Sequence, residues 1–132
     1  MNVAERFFFK ANIVWLIIFV FLVVKLKLMG LGSWYFGVFM LAVHSATVGV
    51  LLVSIVTFVY RSERVAGVLH YYVYIIMVGE TLMLLSVLQP LLSGIDVGLS
   101  AMYVIIYGIF IFYLFGFKVY LRSDDAGKYF IR

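Results

Sequence analysis

Residues 35–92 read YFGVFMLAVHSATVGVLLVSIVTFVYRSERVAGVLHYYVYIIMVGETLMLLSVLQPLL. Two long apolar runs, at about residues 35–60 and 65–92, are separated by the charged tetrapeptide at 61–64. A bilayer core takes about 20 residues of helix, and each run is long enough to cross one. Neither run alternates between polar and apolar residues as a membrane β-strand does. Both runs are therefore predicted to be transmembrane helices joined by a short turn.

Two further apolar runs flank this hairpin, at about residues 11–31 and 97–117. The connections at 32–34 and 93–96 are short, and short connections place neighbouring helices antiparallel. Pro90 is expected to end the third helix, because proline cannot continue the helical hydrogen bonding. The sequence thus predicts an all-α, four-helix transmembrane bundle, a single domain over residues 1–132. A short polar tail at 118–132 is expected at the membrane interface.

The composition supports a membrane protein. Hydrophobic residues make up 67% of the chain and charged residues 12%, against about 45–50% and about 25% in soluble domains. A soluble domain of this size could not cover so much apolar surface. The net charge of +4 suits anionic lipid headgroups and lacks the dense basic face that nucleic acid requires. The absence of cysteine excludes disulfides, iron–sulfur clusters and cysteine catalysis.

The basic residues predict the orientation of the helices. Eight would lie on one side of the membrane: Arg6, Lys10, Arg61, Arg64, Lys118, Arg122, Lys128 and Arg132. Only Lys25 and Lys27 would lie on the other side. Because cytoplasmic loops carry the excess of lysine and arginine, both termini are predicted to face the cytoplasm of the cell (inner or plasma) membrane. The aromatics expected at the two membrane interfaces are Trp34, Tyr35, Tyr60 and Tyr120.

Glu80 is the most informative polar residue within the apolar runs. A charged side chain at the centre of a membrane helix costs about 2.5–3.5 kcal/mol. It must therefore be protonated and hydrogen-bonded, be paired with a cation, or face a hydrated cavity. His44 lies sixteen residues before Tyr60, and Glu80 lies sixteen residues after Arg64. Both are thus about 24 Å from the turn, at one depth, where they can pair.

Further polar residues define a possible line along the same hairpin. Helical spacing places His44, Thr47 and Ser54 on one stripe of the second helix. The matching stripe on the third helix is formed by His70, Tyr74, Met77, Glu80 and Thr81. If the stripes face each other, the polar line continues from the His–Glu pair to the cytoplasm. The pair then has three interpretations: a proton path or polar cavity, a buried contact that fixes packing, or a contact with another subunit.

The two histidines do not predict an intrinsic cofactor. Their depths differ by about ten residues, or about 15 Å, so one haem iron cannot bridge His44 and His70. A haem bound between this chain and a partner chain is an alternative that the sequence leaves open. A metal held by His44 and Glu80 would lack a third protein ligand, so no metal site is expected.

Lys25 and Lys27 lie near the far end of the first helix on different faces. Long lysine side chains reach the headgroups from such positions, and the alternative is a contact with an anionic lipid or a quinone headgroup. Gly108 and Gly116 lie eight residues apart, close to one face of the fourth helix, where small residues would let another helix approach.

One partial resemblance involves two short segments. His44-Ser45-Ala46 and Val73-Tyr74 are similar in order and spacing to segments of the J subunit of respiratory complex I. The Asn-Pro that precedes the histidine in that family and the Gly-Ala that follows the tyrosine are both missing here. The chain is therefore not assigned to that family.

The sequence contains no nucleotide-binding loop, catalytic triad or paired catalytic carboxylates. The first expectation is a small, non-catalytic accessory subunit of a larger integral-membrane complex, such as a respiratory or other redox assembly involved in electron transport. Its partners would be the lipid bilayer and other membrane subunits, and its His–Glu pair would serve a proton path. The alternative is a small homo-oligomeric channel or proton-coupled transporter.

Overall fold

The computed structural model describes residues 1–28, 35–94 and 96–131, without the side chains of Tyr35 and Phe36. Within these ranges the chain forms five helices: α1 (Val3–Leu28), α2 (Tyr35–Tyr60), α3 (Glu63–Leu92), α4 (Val97–Leu121) and α5 (Asp124–Tyr129). The first four are long and apolar enough to cross a membrane. The prediction of an all-α protein with four such helices is confirmed.

The four long helices pack around a shared core. Helix α1 packs against α2, α2 against α3, and α3 against α4. Ring contacts between α1 and α4 close the arrangement, with Phe19 and Phe110 at a centroid distance of 4.4 Å. The start of α1, the α2–α3 turn and the end of α4 meet at one end of the molecule, which we call the termini end. The other is the opposite end. The connection predicted at 32–34, the belt residue Trp34, Ile95 and Arg132 lie outside the described residues.

The α2–α3 turn is tighter than predicted. Arg61 adopts a left-handed backbone with φ of 54°, and the side chain of Ser62 accepts a hydrogen bond from the Val65 amide at 3.3 Å. This N-cap starts α3 at Glu63, two residues before the predicted start, because a serine cap satisfies a free amide of the first turn. A glutamate in the first turn is also favourable beside the helix dipole.

Helix α1 begins at Val3, eight residues earlier than predicted, and ends at Leu28. The side chain of Asn2 accepts a hydrogen bond from the Glu5 amide at 3.2 Å and so caps the first turn. The ring of Phe8 stacks on Tyr120 at 4.8 Å. The cap and the ring contact together extend α1 to the termini end.

Helix α3 ends at Leu92, the last residue of the predicted apolar run and two residues beyond Pro90. Proline has no amide donor, so the bond that a residue at position 90 would make to the Ser86 carbonyl is lost, and the helix ends two residues later. The Ser93 amide then bonds to the Gln89 carbonyl at 3.1 Å and completes the helix.

The predicted end of the fourth helix at 117 is also too early. Helix α4 continues to Leu121, and α5 follows with Ser123 as its N-cap. The hydroxyl of Tyr129 donates to the carbonyl of Phe58 at 2.7 Å, and Ala126 and Phe130 are buried. The tail at 118–131 is therefore largely helical and folded onto the termini end of the bundle.

Candidate functional site

The buried polar contacts concentrate where α2 faces α3. His44 Nδ1 lies 3.0 Å from Glu80 Oε1, and both side chains are essentially inaccessible, at 1% and 0% exposure. The hydroxyl of Thr47 donates to the same Glu80 oxygen at 2.7 Å. His44 and Thr47 are three residues apart on α2 and therefore share one face. The helix period thus aims two polar side chains at one carboxyl group.

The fourth helix completes this arrangement. Tyr107 Oη lies 2.9 Å from His44 Nε2. When the Glu80 carboxylate accepts from Nδ1–H, Nε2 is the acceptor nitrogen and takes the hydrogen bond from the Tyr107 hydroxyl. The result is a carboxylate–imidazole–phenol series. We call Thr47, His44, Glu80 and Tyr107 the polar cluster.

One oxygen of Glu80 remains available. Within the described part of the chain, Oε2 is buried and makes no hydrogen bond. A carboxyl group whose Oε1 accepts two hydrogen bonds and whose Oε2 is unpaired can hold a proton on Oε2 without breaking either contact. The polar cluster is therefore compatible with a protonated and an ionised Glu80.

A cavity of about 350 Å³ runs from the opposite end to the polar cluster. His44 and Tyr107 line its floor, and its walls are mostly apolar. Lys25 lies higher in the cavity, where its Nζ donates to Tyr103 Oη at 3.0 Å. The side chain of Lys25 is thus half-buried and directed inward, whereas that of Lys27 is exposed. Among the described residues, the cavity connects the imidazole of His44 with the opposite end of the molecule.

The termini half of the core offers no such route among the described side chains. Ser54 and Thr57 are buried, but each hydroxyl donates to a carbonyl of its own helix, at Val50 and Val53, both at 2.7 Å. The core around them is filled by Leu51, Phe58, Leu69, Val73, Leu114 and Phe117. Asn12 is also buried there, and its Oδ1 accepts from the Tyr113 hydroxyl at 2.6 Å. No described hydrogen bond joins these groups to Glu80 or Thr47.

The predicted continuation of the polar line through His70 and Tyr74 stays a prediction, and in this structure neither side chain contacts the polar cluster. Tyr74 is 50% exposed, and Lys118 Nζ lies 4.7 Å above its ring. His70 is only half-buried and stacks on Tyr71. The reason is the rotation of α3, whose buried residues are Ala66, Leu69, Val73, Ile76, Glu80 and Met83. Glu80 lies on this face, while His70 and Tyr74 lie beside it.

The approach of a helix from another subunit at Gly108 and Gly116 stays a prediction, because the described chain leaves both positions open. A Cβ added at either position would meet no atom of the described chain within 4 Å. Gly79 is the crowded position, because a Cβ there would lie 3.1 Å from Val43 Cγ1. The close contact between backbone and side chain therefore lies at the α2–α3 interface, one residue before Glu80.

Tyr107 was missed as a site residue, although the sequence contains a signal for it. Tyr107 lies ten residues after Val97, where α4 begins, and His44 lies nine residues after Tyr35, where α2 begins. Both helices begin at the opposite end, so the two side chains are at about the same depth. Counting residues along the helices, which places His44 and Glu80 at one depth, therefore also places Tyr107 at that depth and identifies it as a third site residue.

Among the described residues, no three histidine, aspartate or glutamate side chains converge as ligands of a metal ion. His44 and Glu80 are two such groups in contact. No family model, characterised protein or solved structure matches the chain. The function is therefore argued from the polar cluster and the cavity.

Proposed function

We propose that the chain is an integral membrane protein that crosses the membrane four times, with both termini in the cytoplasm. Two observations support this. Large apolar side chains remain exposed along all four long helices, as a lipid environment requires. The basic residues at the ends of the chain and in the α2–α3 turn meet at the termini end, and cytoplasmic segments carry such an excess. The cavity then opens away from the cytoplasm.

Within this membrane protein, the His44–Glu80 pair accepts a proton from the non-cytoplasmic side. The observation that carries the proposal is the double contact of His44: Nδ1 meets Glu80, and the imidazole also lines the cavity floor. Ionisable groups inside a membrane bundle are costly and mark proton or substrate routes. A packing contact alone needs no cavity beside it, whereas a proton site needs one.

The pair would serve as one half of a proton path in a larger membrane assembly. Between Glu80 and the termini end the core is mostly apolar and aromatic, and the described hydrogen bonds of its buried Asn12, Ser54 and Thr57 run to Tyr113 or to carbonyls of their own helix. None of these bonds reaches Glu80. One chain in this conformation is therefore no conduit by itself. A non-catalytic subunit of a respiratory or other redox complex would receive the proton from the cavity and depend on partner subunits for the rest of the path.

Infrared difference spectroscopy on the purified protein in lipid nanodiscs tests the proton site. We expect a protonated-carboxyl band that changes with pH, is missing in Glu80→Gln, and is altered in His44→Gln. Glu63→Gln, at an exposed position, is the matched control and should leave the band in place. A band that persists in Glu80→Gln would overturn the proposal. Purification from the native source in mild detergent, followed by mass spectrometry, would identify the partner subunits.

The alternative is a proton-coupled transporter. A cavity that reaches an ionisable pair from one end and is closed toward the other is the geometry of one state of an alternating-access cycle. This reading predicts substrate-driven proton movement into proteoliposomes that contain only this chain. Flux that is equal for the original chain and Glu80→Gln would exclude it.

A further inference from the structure

The cavity above the polar cluster has the size and lining of a small-molecule site. Ligand sites occupy about 300–1,000 Å³ and combine apolar walls with a few placed polar groups. This cavity measures about 350 Å³. Its apolar lining includes Leu22, Leu26, Met40, Val87 and Leu99. An occupant would thus be a compact, largely apolar molecule.

The polar groups lie at two levels and have opposite hydrogen-bonding character. At the upper level, the Lys25 ammonium has three N–H donors, one of which is used by Tyr103. At the floor, His44 Nε2 is the acceptor when Nδ1–H donates to the Glu80 oxygen, and its contact at 2.9 Å is the Tyr107 hydroxyl. Lys25 therefore offers a donor at the upper level and His44 an acceptor at the floor, while Asp96, at the N-cap of α4, places a carboxylate at the mouth.

An aromatic wall joins the two levels. The rings of Tyr103 and Tyr107 stack at a centroid distance of 6.0 Å with an interplanar angle of 19°. Both residues line the cavity, and offset or edge contacts with such rings favour another aromatic ring. Lys25 and Asp96 also line it and carry opposite charges, so a neutral ligand is favoured over an ion.

We propose that the cavity binds a small neutral phenol: an aromatic ring with a hydroxyl at one edge and an acceptor oxygen at the opposite edge, as in a hydroquinone or an alkoxyphenol. The hydroxyl donates at the floor, to His44 Nε2 in place of Tyr107 or to the Tyr107 oxygen. The second oxygen accepts from Lys25. The inference rests on the proposed function because it needs His44 as an acceptor above Glu80.

Equilibrium dialysis against the full chain in nanodiscs, with empty nanodiscs as the reference, tests the ligand class. The probes are 4-methoxyphenol, which has a donor and an acceptor, and 1,4-dimethoxybenzene, which has lost the donor. We expect saturable binding of one 4-methoxyphenol per chain, about tenfold tighter than that of the dimethoxy compound. Equal affinities, or partition equal to that of empty nanodiscs, would overturn the proposal.

Variants locate the site. Lys25→Met should weaken 4-methoxyphenol binding about tenfold, while Lys27→Met, at the exposed lysine two residues away, should leave it unchanged. Val87→Phe fills the cavity without changing the polar cluster and should abolish binding. A thermal unfolding scan confirms that each variant is folded. Unchanged binding in a folded Val87→Phe variant would place the probe elsewhere and refute the inference.

Failure of this inference is distinguishable from failure of the proposed function. If 4-methoxyphenol does not bind while the Glu80 infrared band still titrates, the proton site survives and the ligand class is wrong. If the phenol binds with the expected pattern while the band persists in Glu80→Gln, the ligand site survives and the proton site is wrong.

Discussion

His44, on α2, contacts two helices through its ring nitrogens and a third through the face and edge of its ring. One nitrogen faces Glu80 on α3 and the other faces Tyr107 on α4, while its ring lies edge-on to Phe19 on α1. Each partner fixes part of the orientation of the imidazole. The substitution of one member therefore leaves the others with unsatisfied buried groups, which is costlier than the loss of the contact itself.

Removal of the Glu80 carboxyl should therefore destabilise the protein. Glu80→Leu leaves Thr47 and His44 without their acceptor, and we expect a loss of about 1–3 kcal/mol in the free energy of unfolding. The double variant His44→Leu/Glu80→Leu should lose less than the sum of the single losses, with a coupling of about 0.6–1.7 kcal/mol as for other membrane hydrogen bonds. Unfolding in mixed detergent micelles measures both. Additive losses would contradict the contact.

The Tyr107 hydroxyl gives a second prediction at the residue scale. Tyr107→Phe keeps the ring stack with Tyr103 and removes only the donor to His44 Nε2, so we expect a loss of about 1 kcal/mol in stability. Tyr71→Phe is the matched control, because Tyr71 is 63% exposed and should tolerate the change. Thermal unfolding of both variants provides the comparison. Equal melting temperatures for the two variants would argue against the hydrogen bond.

At the scale of the helix, the span of α3 could be predicted from the sequence, whereas its rotation about the helix axis could not. The span of α3 and the equal depth of His44 and Glu80 follow from residue counting, because the rise per residue is constant. The rotation of α3 does not follow. Its polar residues His70 and Tyr74 suggested one buried face, but packing against α2 and α4 buries an apolar face that includes Glu80. Because apolar residues surround α3 on all sides, its faces differ little in polarity. The rotation of the helix about its axis is therefore set by how the shapes of the packed side chains fit together.

Two glycines on α3 test this packing. Gly79→Ala would place a Cβ 3.1 Å from Val43 Cγ1, whereas Gly67→Ala meets no described atom within 4 Å. Alanine stabilises a helix over glycine by about 0.5–1 kcal/mol. We expect Gly67→Ala to gain up to this amount and Gly79→Ala to gain less or to lose stability. A larger gain at Gly79 than at Gly67, measured by detergent unfolding, would contradict the α2–α3 contact.

Helix α5 should be released from the bundle at high pH. Burial raises the pKa of Tyr129 above its ordinary value of 10.0, opposed by nearby Arg61 and reinforced by Glu5. The neutral phenol is thus favoured in the docked state, so docking is complete below about pH 10 and weakens as the pH rises through the raised pKa. Hydrogen exchange of the tail measures this. Tyr129→Phe should lose the donor to Phe58 and, with it, this pH dependence; an unchanged pH profile would refute the assignment.

At the scale of the whole molecule, the composition and the four apolar runs were enough to predict the helices, because their length and hydropathy are properties of each segment. The residues at which the helices begin and end were less predictable. Caps at Asn2, Ser62 and Ser123 extended or added helices where the hydropathy had already declined. The cavity could not be predicted, because it arises from the relative placement of all four long helices.

Access to the polar cluster from one side only can be tested by cysteine labelling, because the chain has no cysteine of its own. Single cysteines at Leu26 and Ser86, which line the cavity, and at Ala66, in the buried termini half, would be treated with a membrane-impermeant thiol reagent. The reagent is added to intact cells or to inverted membrane vesicles. We predict labelling of the two cavity positions in intact cells only, with Ala66→Cys protected in both preparations. Labelling of the cavity positions from the cytoplasmic side, or from neither side, would contradict the account.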